Sequence, residues 1–283
     1  MGGLAPLVRN PDEVYRKLYS KLPLTAMQAH AKKPIERVSS RNRDYYRRFP
    51  EDVDRVRSLV KFIAAETPDL PAGGKLSVER FQALGLSFGA HGGADAVHEI
   101  VFRAYNEYTQ LGFLTTSTLS SIEGSLHFDS NLLYAVLHEP IYCQGMAPNW
   151  SAERVKKELP QFNWQSAMAS KDPVFFTGEM IYPWMFESFP ELRKLKETAS
   201  IVASFEDWPE LYDEEQLAKN NVPVYSATYV DDMFVDFEFA QETASKIKGC
   251  KQFITNMMYH DAIRSKADEV MKQLFTLRDD VID

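Results

Sequence analysis

An acid and a histidine end two strand-like stretches in the last part of the chain. Residues 222–230 are rich in β-branched and aromatic side chains and are followed at once by Asp231 and Asp232. Residues 252–258 form a second such stretch, which leads to His260. A carboxylate beside an imidazole fixes the tautomer of the ring and stabilises its protonated form. This spacing therefore suits the acid and the general base of a hydrolytic site.

The order of elements around these residues predicts how the two side chains meet. A helical stretch at 237–248 separates the strands, and an amphipathic stretch at 263–277 follows the second one. This β-α-β-α order predicts parallel strands joined by a right-handed crossover. Because the carboxyl ends of neighbouring parallel strands meet at one edge of a sheet, we expect Asp232 and His260 to lie together there.

The chain before these strands has a different hydrophobic period. From residue 11 to residue 170 it is typical of helices that pack one face and solvate the other. Helical stretches are predicted at 12–22, 45–66 and 77–84, and Ser77 is a plausible N-terminal cap of the last one. The sequence thus predicts an α/β fold with a large helical part.

Composition excludes several classes of protein. The chain has 283 residues, a net charge of -8 and a sequence pI near 5.4, which argues against a nucleic-acid partner. No stretch approaches the roughly 18 apolar residues of a membrane span. Cys143 and Cys250 lie far apart, without metal-ligand spacing or a disulfide framework. We expect a cytoplasmic protein with no cofactor, no metal and no membrane partner.

Several longer segments carry a family pattern. They are 2–6 (GGLAP), 132–145 (LLYAVLHEPIYCQG), 176–186 (FTGEMIYPWMF) and 231–236 (DDMFVD). Together they resemble segments of the proline iminopeptidases, which are α/β-hydrolases that remove N-terminal proline from peptides. The resemblance covers nearly the whole chain.

The resemblance implies a domain plan and two catalytic residues. Residues 1–10 would end a core strand and enter the cap, residues 11–170 would form the helical cap domain, and residues 171–283 would form the C-terminal part of an α/β-hydrolase core. Asp232, a better match than Asp231, would be the catalytic acid. His260 would be the base, in the chain order that this superfamily uses.

Recognition of a free amino terminus, which the implied activity requires, calls for buried carboxylates, because an ammonium is desolvated cheaply only beside a counter-charge. Glu139 and Glu179 match the family segments for this role and lie among apolar residues. Tyr182, Trp184 and Phe186 would wall a flat pocket for the pyrrolidine ring. The alternatives are a structural ion pair for each glutamate and an ordinary core position for each aromatic residue.

The nucleophilic serine is expected outside this chain. In the family, the nucleophile and the oxyanion loop precede the segment that Gly2-Gly3-Leu4 resembles, so the chain alone is expected to be inactive. One G-x-S-x-G match lies at 85–89, centred on Ser87. It follows the helical stretch 77–84 rather than a strand, and this favours a Gly-rich helix end over a nucleophile elbow.

Two alternatives to the peptidase stay open at this point. The first is a non-catalytic helical module that binds peptides or another protein. The second is a different α/β-hydrolase, such as an esterase with Ser87 as its nucleophile. A further expectation concerns the two strands. They are apolar on both faces, so we expect further strands beside them and helices that cover the sheet. Without a partner that supplies those strands, we expect the chain to be unstable or to self-associate.

Overall fold

A computed structural model describes residues 3–19 and 37–280. The described residues are mostly helical and include one two-stranded parallel sheet near the end of the chain. The predictions for residues 1–2, for residues 20–22 at the end of the first helical stretch, and for residues 281–283 lie outside the described residues.

Most elements of the described chain are short helices. In chain order the α-helices are α1 (Pro11–Tyr19), α2 (Arg37–Arg48), α3 (Asp52–Glu66), α4 (Val78–Gln82), α5 (Gly93–Leu111), α6 (Thr116–Gly124), α7 (Leu132–Leu137), α8 (Ser151–Lys157), α9 (Trp164–Ser170), α10 (Met185–Ser188), α11 (Pro190–Arg193), α12 (Lys196–Ser204), α13 (Glu214–Ala218), α14 (Phe237–Lys246), α15 (Ala262–Ser265) and α16 (Ala267–Asp279). The 3-10 helices are Ala83–Gly89, His127–Ser130, Pro140–Tyr142 and Pro160–Phe162. The strands are β1 (Val224–Tyr229) and β2 (Cys250–Thr255).

Two helix boundaries show how local chemistry refines the predicted stretches. The stretch predicted at 45–66 is split between α2 and α3, with Pro50 in the break, because proline lacks the N–H that a continuous helix needs. Helix α4 begins as predicted, and the hydroxyl of Ser77 accepts the N–H of Arg80 at 3.1 Å. The capping prediction is therefore confirmed.

The sheet has the predicted order and direction. Strands β1 and β2 pair in parallel, with Val224 opposite Cys250 and Tyr229 opposite Thr255, and α14 connects them. The second strand begins and ends earlier than the predicted 252–258. The chain leaves the strand after Thr255, whose hydroxyl accepts the N–H of Met257. The final helical stretch is divided into α15 and α16.

Two apolar cores hold these elements together. The larger one lies in the helical part and also contains Met233 and Phe239, from the segment after β1. The smaller one packs β1 against the last helices through Ala227, Met258 and Val270, among others. Helices follow one another through α13 up to the start of β1. The end of the cap domain at residue 170 stays a prediction. The loop after β1 is thus embedded in the helical part.

The edge of β1 that faces away from β2 contacts the first described residue. Val230 donates its N–H to Thr255 on the β2 side, and backbone groups alternate in direction along a strand. The C=O of Ala227 therefore points to the opposite edge, where it accepts the N–H of Gly3 at 2.7 Å. None of the helices in the described part of the chain has the length and apolarity that a bilayer crossing requires.

Candidate active site

The predicted acid and base are in contact at the carboxyl ends of the two strands. Nδ1 of His260 lies 2.9 Å from Oδ2 of Asp232. The side chain of Asp232 is 1% exposed and that of His260 is 35% exposed. The imidazole therefore keeps one edge on a buried carboxylate, while about one third of the side chain is exposed.

Backbone donors fix the carboxylate of the pair. Oδ1 of Asp232 accepts the N–H groups of Phe234 at 2.8 Å and Val235 at 3.0 Å. Aspartate readily forms this kind of turn, in which its side chain accepts the backbone N–H of the residue two positions later. Asp231 is exposed, and its backbone C=O accepts a guanidinium N–H of Arg41. Of the two neighbouring acids, Asp232 is the one that holds the histidine.

Electrostatics favours the protonated form of the imidazole. Burial by itself lowers the pKa of His260, but the hydrogen bond to Asp232 and the charge of that carboxylate outweigh burial. The charges of Glu179 and Asp261 act in the same direction, so the pKa of the imidazole is raised above its ordinary value. The ring packs perpendicular to the ring of Phe234, with centroids 4.9 Å apart. An oriented base of this kind can take up a proton at Nε2.

Glu179 lies within electrostatic range of this pair. It is half-buried, and the hydroxyl of Tyr134 is hydrogen bonded to its carboxylate. Burial raises the pKa of Tyr142, and the charges of Glu179 and Asp232 add to that effect. The two tyrosines were not predicted as site residues. Their only sequence signal is that both fall in the segment 132–145, which carries the family pattern.

Glu139, the other predicted ammonium ligand, has a different set of contacts. Its side-chain oxygens accept the N–H groups of Ser151 at 3.0 Å and Ala152 at 2.8 Å, at the start of α8. Burial raises the pKa of Glu139 to about 7, against the effect of these two hydrogen bonds. The carboxylate caps a helix whose preceding residue, Trp150, provides no side-chain cap. Its role toward a substrate stays a prediction.

The three predicted pocket aromatics pack in the helical part. Tyr182 and Phe186 are each 1% exposed, and the ring of Trp184 is stacked on Tyr182 with centroids 5.9 Å apart. Trp184 also lines a cavity of about 600 Å³. The described residues around that cavity do not include Asp232 or His260. The ring stack and the cavity thus do not connect these aromatics to the acid and base, and their substrate role stays a prediction.

Ser87 lies in helical surroundings, as the pattern before it predicts. The segment 85–89 belongs to the 3-10 helix Ala83–Gly89, which continues from α4. A Cβ atom at Gly85 would overlap the backbone oxygen of Thr177, and one at Gly89 would overlap the ring of Phe234. Close packing therefore accounts for both glycines of this G-x-S-x-G match.

A second histidine–aspartate contact lies next to the first. Nδ1 of His91 is 2.6 Å from Oδ1 of Asp261, the residue that follows His260. On the other side of His260, the ring of Tyr259 lies under the guanidinium of Arg41 at 4.4 Å. These supports were missed, because contacts over such long sequence separations leave no local pattern. No cluster of three potential metal ligands occurs within residues 3–19 and 37–280.

Two proline iminopeptidases are similar to this chain throughout its length. The proline iminopeptidase aneH of Aspergillus aculeatus is 41% identical over 282 residues, which are 100% of this chain and 58% of that protein. The proline iminopeptidase of Aeromonas sobria is 36% identical over 279 residues, which are 99% of this chain and 60% of that protein. No protein-family model matches the chain.

These identities confirm the resemblance that the segments around Glu139, Glu179 and Asp232 indicate. The chain spans less than two thirds of the length of either relative. From its first residues to its last, the chain is a homologue of the proline iminopeptidases.

Proposed function

We propose that this chain carries the acid and the base of a serine-type prolyl aminopeptidase with an α/β-hydrolase fold. The observation that carries the proposal is the 2.9 Å contact between Asp232 and His260 at the ends of paired parallel strands. The names of the two relatives support the substrate class, which is peptides with an N-terminal proline. A two-stranded parallel sheet beside a large helical part is compatible with a portion of that fold.

In the proposed reaction, the serine hydroxyl attacks the carbonyl carbon of the N-terminal prolyl residue. His260 takes the hydroxyl proton at Nε2 and passes it to the nitrogen of the departing peptide as the amide bond breaks. The prolyl ester that is left on the serine oxygen is then attacked by a water molecule. His260 takes a proton from the water at Nε2 and returns it to the serine oxygen as the ester bond breaks and proline leaves. Asp232 keeps the Nδ1 proton of His260 in place and stabilises the charged ring.

The nucleophile and the oxyanion donors belong, in this proposal, to a segment outside the described residues. Since nucleophile, base and acid act as a unit, the described residues alone retain little of the activity. Ser87 has no role in this proposal, in keeping with its helical surroundings.

Glu179 is the proposed ligand of the substrate's ammonium group. Its half-buried carboxylate acts electrostatically on His260, as a ligand next to the scissile bond would. Tyr134 holds the carboxylate through its hydroxyl. Glu139 can take the same role only if its carboxylate shares or leaves the N–H groups of Ser151 and Ala152.

Hydrolysis of proline 4-nitroanilide tests the proposal. We expect turnover by a form that also contains the sequence encoded upstream of Met1, and little turnover by the 283-residue chain. In the longer form, Asp232→Asn lowers kcat by roughly 10⁴-fold, and N-acetylation of the substrate abolishes turnover. Glu179→Gln raises KM by roughly 10- to 100-fold, because the ammonium loses its buried counter-charge.

The control is Ser87→Ala, which leaves turnover unchanged. Fluorophosphonate labelling of Ser87 in the 283-residue chain, together with ester hydrolysis that this substitution removes, would replace the proposal with an esterase. Binding of proline peptides without turnover by the longer form would point to a non-catalytic peptide-binding module instead.

A further inference from the structure

A residue of the helical part is hydrogen bonded to the loop that carries His260. Nδ1 of His91 lies 2.6 Å from Oδ1 of Asp261, and the backbone N–H of His91 donates to the same oxygen at 3.1 Å. The hydroxyl of Ser265 lies 3.2 Å from the same ring nitrogen. His91 therefore binds the residue that directly follows the base.

The same imidazole also contacts the residue that directly precedes the base. The rings of His91 and Tyr259 meet edge to face, with centroids 4.9 Å apart and planes at 70°. Arg41 adds a cation over the Tyr259 ring. Both neighbours of His260 in sequence are thus held by the helical part, while His260 itself is held by Asp232.

The segment that presents His91 is closely packed. It follows the 3-10 helix Ala83–Gly89, and the N–H of Ala90 donates to the C=O of Ser87 at 3.1 Å. Gly89 lies directly against the ring of Phe234, and this ring packs perpendicular to the imidazole of His260. The G-x-S-x-G stretch and His91 therefore reach the base from two directions, through Phe234 and through Asp261.

A catalytic role for His91 itself does not fit its surroundings. Nε2 of His91 is buried and has no hydrogen-bond partner among the described residues. A second base would need this nitrogen to reach a substrate or a water molecule. The imidazole of His260, by contrast, is about one third exposed. The contacts of His91 are those of a support.

We propose that His91 is a positioning residue for the base, which clamps Tyr259 and Asp261 and so holds the ring of His260 against Asp232. The catalytic meaning of this clamp rests on the proposed peptidase function. The clamp itself is a geometric claim, and it can be measured without turnover, in the 283-residue chain or in the longer form of the proposed function.

The test measures the pKa of His260 by NMR titration of its ring resonances. The proteins compared are wild type, His91→Ala, His91→Asn and His91→Gln. Asparagine places an amide nitrogen near the position of Nδ1, whereas glutamine keeps the bulk but reaches past it. We expect the pKa to fall by about 0.5 to 1 unit in the alanine and glutamine variants. The asparagine variant should recover most of the wild-type value.

The sign of the change in the pKa of His260 distinguishes the loss of a positioning contact from the loss of a charge on His91. Any charge that His91 carries is positive, so its removal raises the pKa of His260 if only Coulomb interactions change. The carboxylate of Asp261, freed from its partner, would act in the same direction. A fall is therefore the sign of a loop that has lost its position beside Asp232, and not of a lost charge on His91.

Each outcome has one meaning. An unchanged or raised pKa in both alanine and glutamine variants, or equal values for asparagine and glutamine, overturns the clamp. If alanine prevents folding, the asparagine and glutamine pair still decides. Asp232→Asn serves as the reference, because an unchanged His260 pKa in that variant would refute the acid–base pair of the proposed function instead. In the longer, active form, His91→Ala should lower kcat by roughly 10-fold or more with little change in KM.

Discussion

The imidazole of His260 rests on the carboxylate of Asp232, although the two residues lie 28 positions apart. They meet because β1 and β2 are parallel neighbours in exact pairing from Val224 to Tyr229, so the loops that follow both strands leave from one edge. Met233 and Phe239, from the segment after β1, then pack into the core of the helical part. The relationship therefore depends on strand direction and on the packing of the loop after β1.

Asp232→Asn should lower the pKa of His260 and remove a pH-dependent share of stability. The pKa of His260 is raised in the folded protein, so the pair stabilises the fold fully below the unfolded value near 6.5 and loses this effect as pH rises through the folded pKa. We expect wild type to exceed the variant in unfolding free energy more at pH 5.5 than at pH 9. Urea denaturation at both pH values measures this difference.

Asp231→Asn is the matched control, because Asp231 is exposed and adjacent in sequence. It should leave the pH profile of stability unchanged. An equal pH profile for both variants and wild type would mean that Asp232 and His260 do not interact in solution.

Glu139→Gln should flatten the pH dependence of stability in a different window. Burial raises the pKa of Glu139 to about 7 in the folded protein, so folding favours the protonated form. Stability then falls as pH rises from about 4.5 to about 7, by roughly 3 kcal/mol, and the glutamine variant lacks this fall. Thermal denaturation across this range measures it, with the exposed Glu66→Gln as the control. A persistent fall in the Glu139 variant would assign the pH dependence to other groups.

Gly89→Ala should destabilise the protein by about 1 to 3 kcal/mol, because its Cβ overlaps the ring of Phe234. The displaced ring contacts His260, so the NMR signals of that imidazole should move as well. Ser87→Ala, in the same 3-10 helix, should change stability by no more than about 0.5 kcal/mol. Urea denaturation of both variants checks the pair of values. Equal effects would show that the glycine is not required for packing.

The isolated chain should associate in solution. Among residues near the sheet, Val222, Ile254 and Met257 are exposed by 69%, 44% and 75%, and exposed edge strands with apolar side chains promote edge-to-edge contact. We expect static light scattering to give a mass that rises with concentration. Ile254→Lys should reduce the rise. A monodisperse wild-type monomer that melts cooperatively would contradict this expectation.

The acid–base contact could be predicted from sequence because it follows from local patterns. Strand-like stretches that end in Asp232 and His260 need only a parallel pairing to meet, and the chain order supplied that. Glu139 and Glu179 could not be told apart in this way, because both lie among apolar neighbours in sequence. Only tertiary structure places one at the start of α8 and the other near the imidazole. His91 was out of reach for the same reason, since 170 positions separate it from Asp261.

The end of β2 was predicted too late for a local reason. The apolar side chains of Met257 and Met258 continue the strand pattern beyond Thr255. The hydroxyl of Thr255 turns the backbone instead, and Met258 enters the smaller core from outside the strand. Hydrophobic pattern alone does not reveal such a turn.

The order of His91, Asp232 and His260 along the chain sets the order in which a ribosome makes the candidate site. Domains fold from the N-terminal side during synthesis, so His91 and the helices around it emerge well before His260 is translated. A polypeptide released before β2 is complete has no imidazole for Asp232 to hold. A chain that stops just before residue 260 therefore keeps His91 and Asp232 but lacks the residues that they contact, Asp261 and His260.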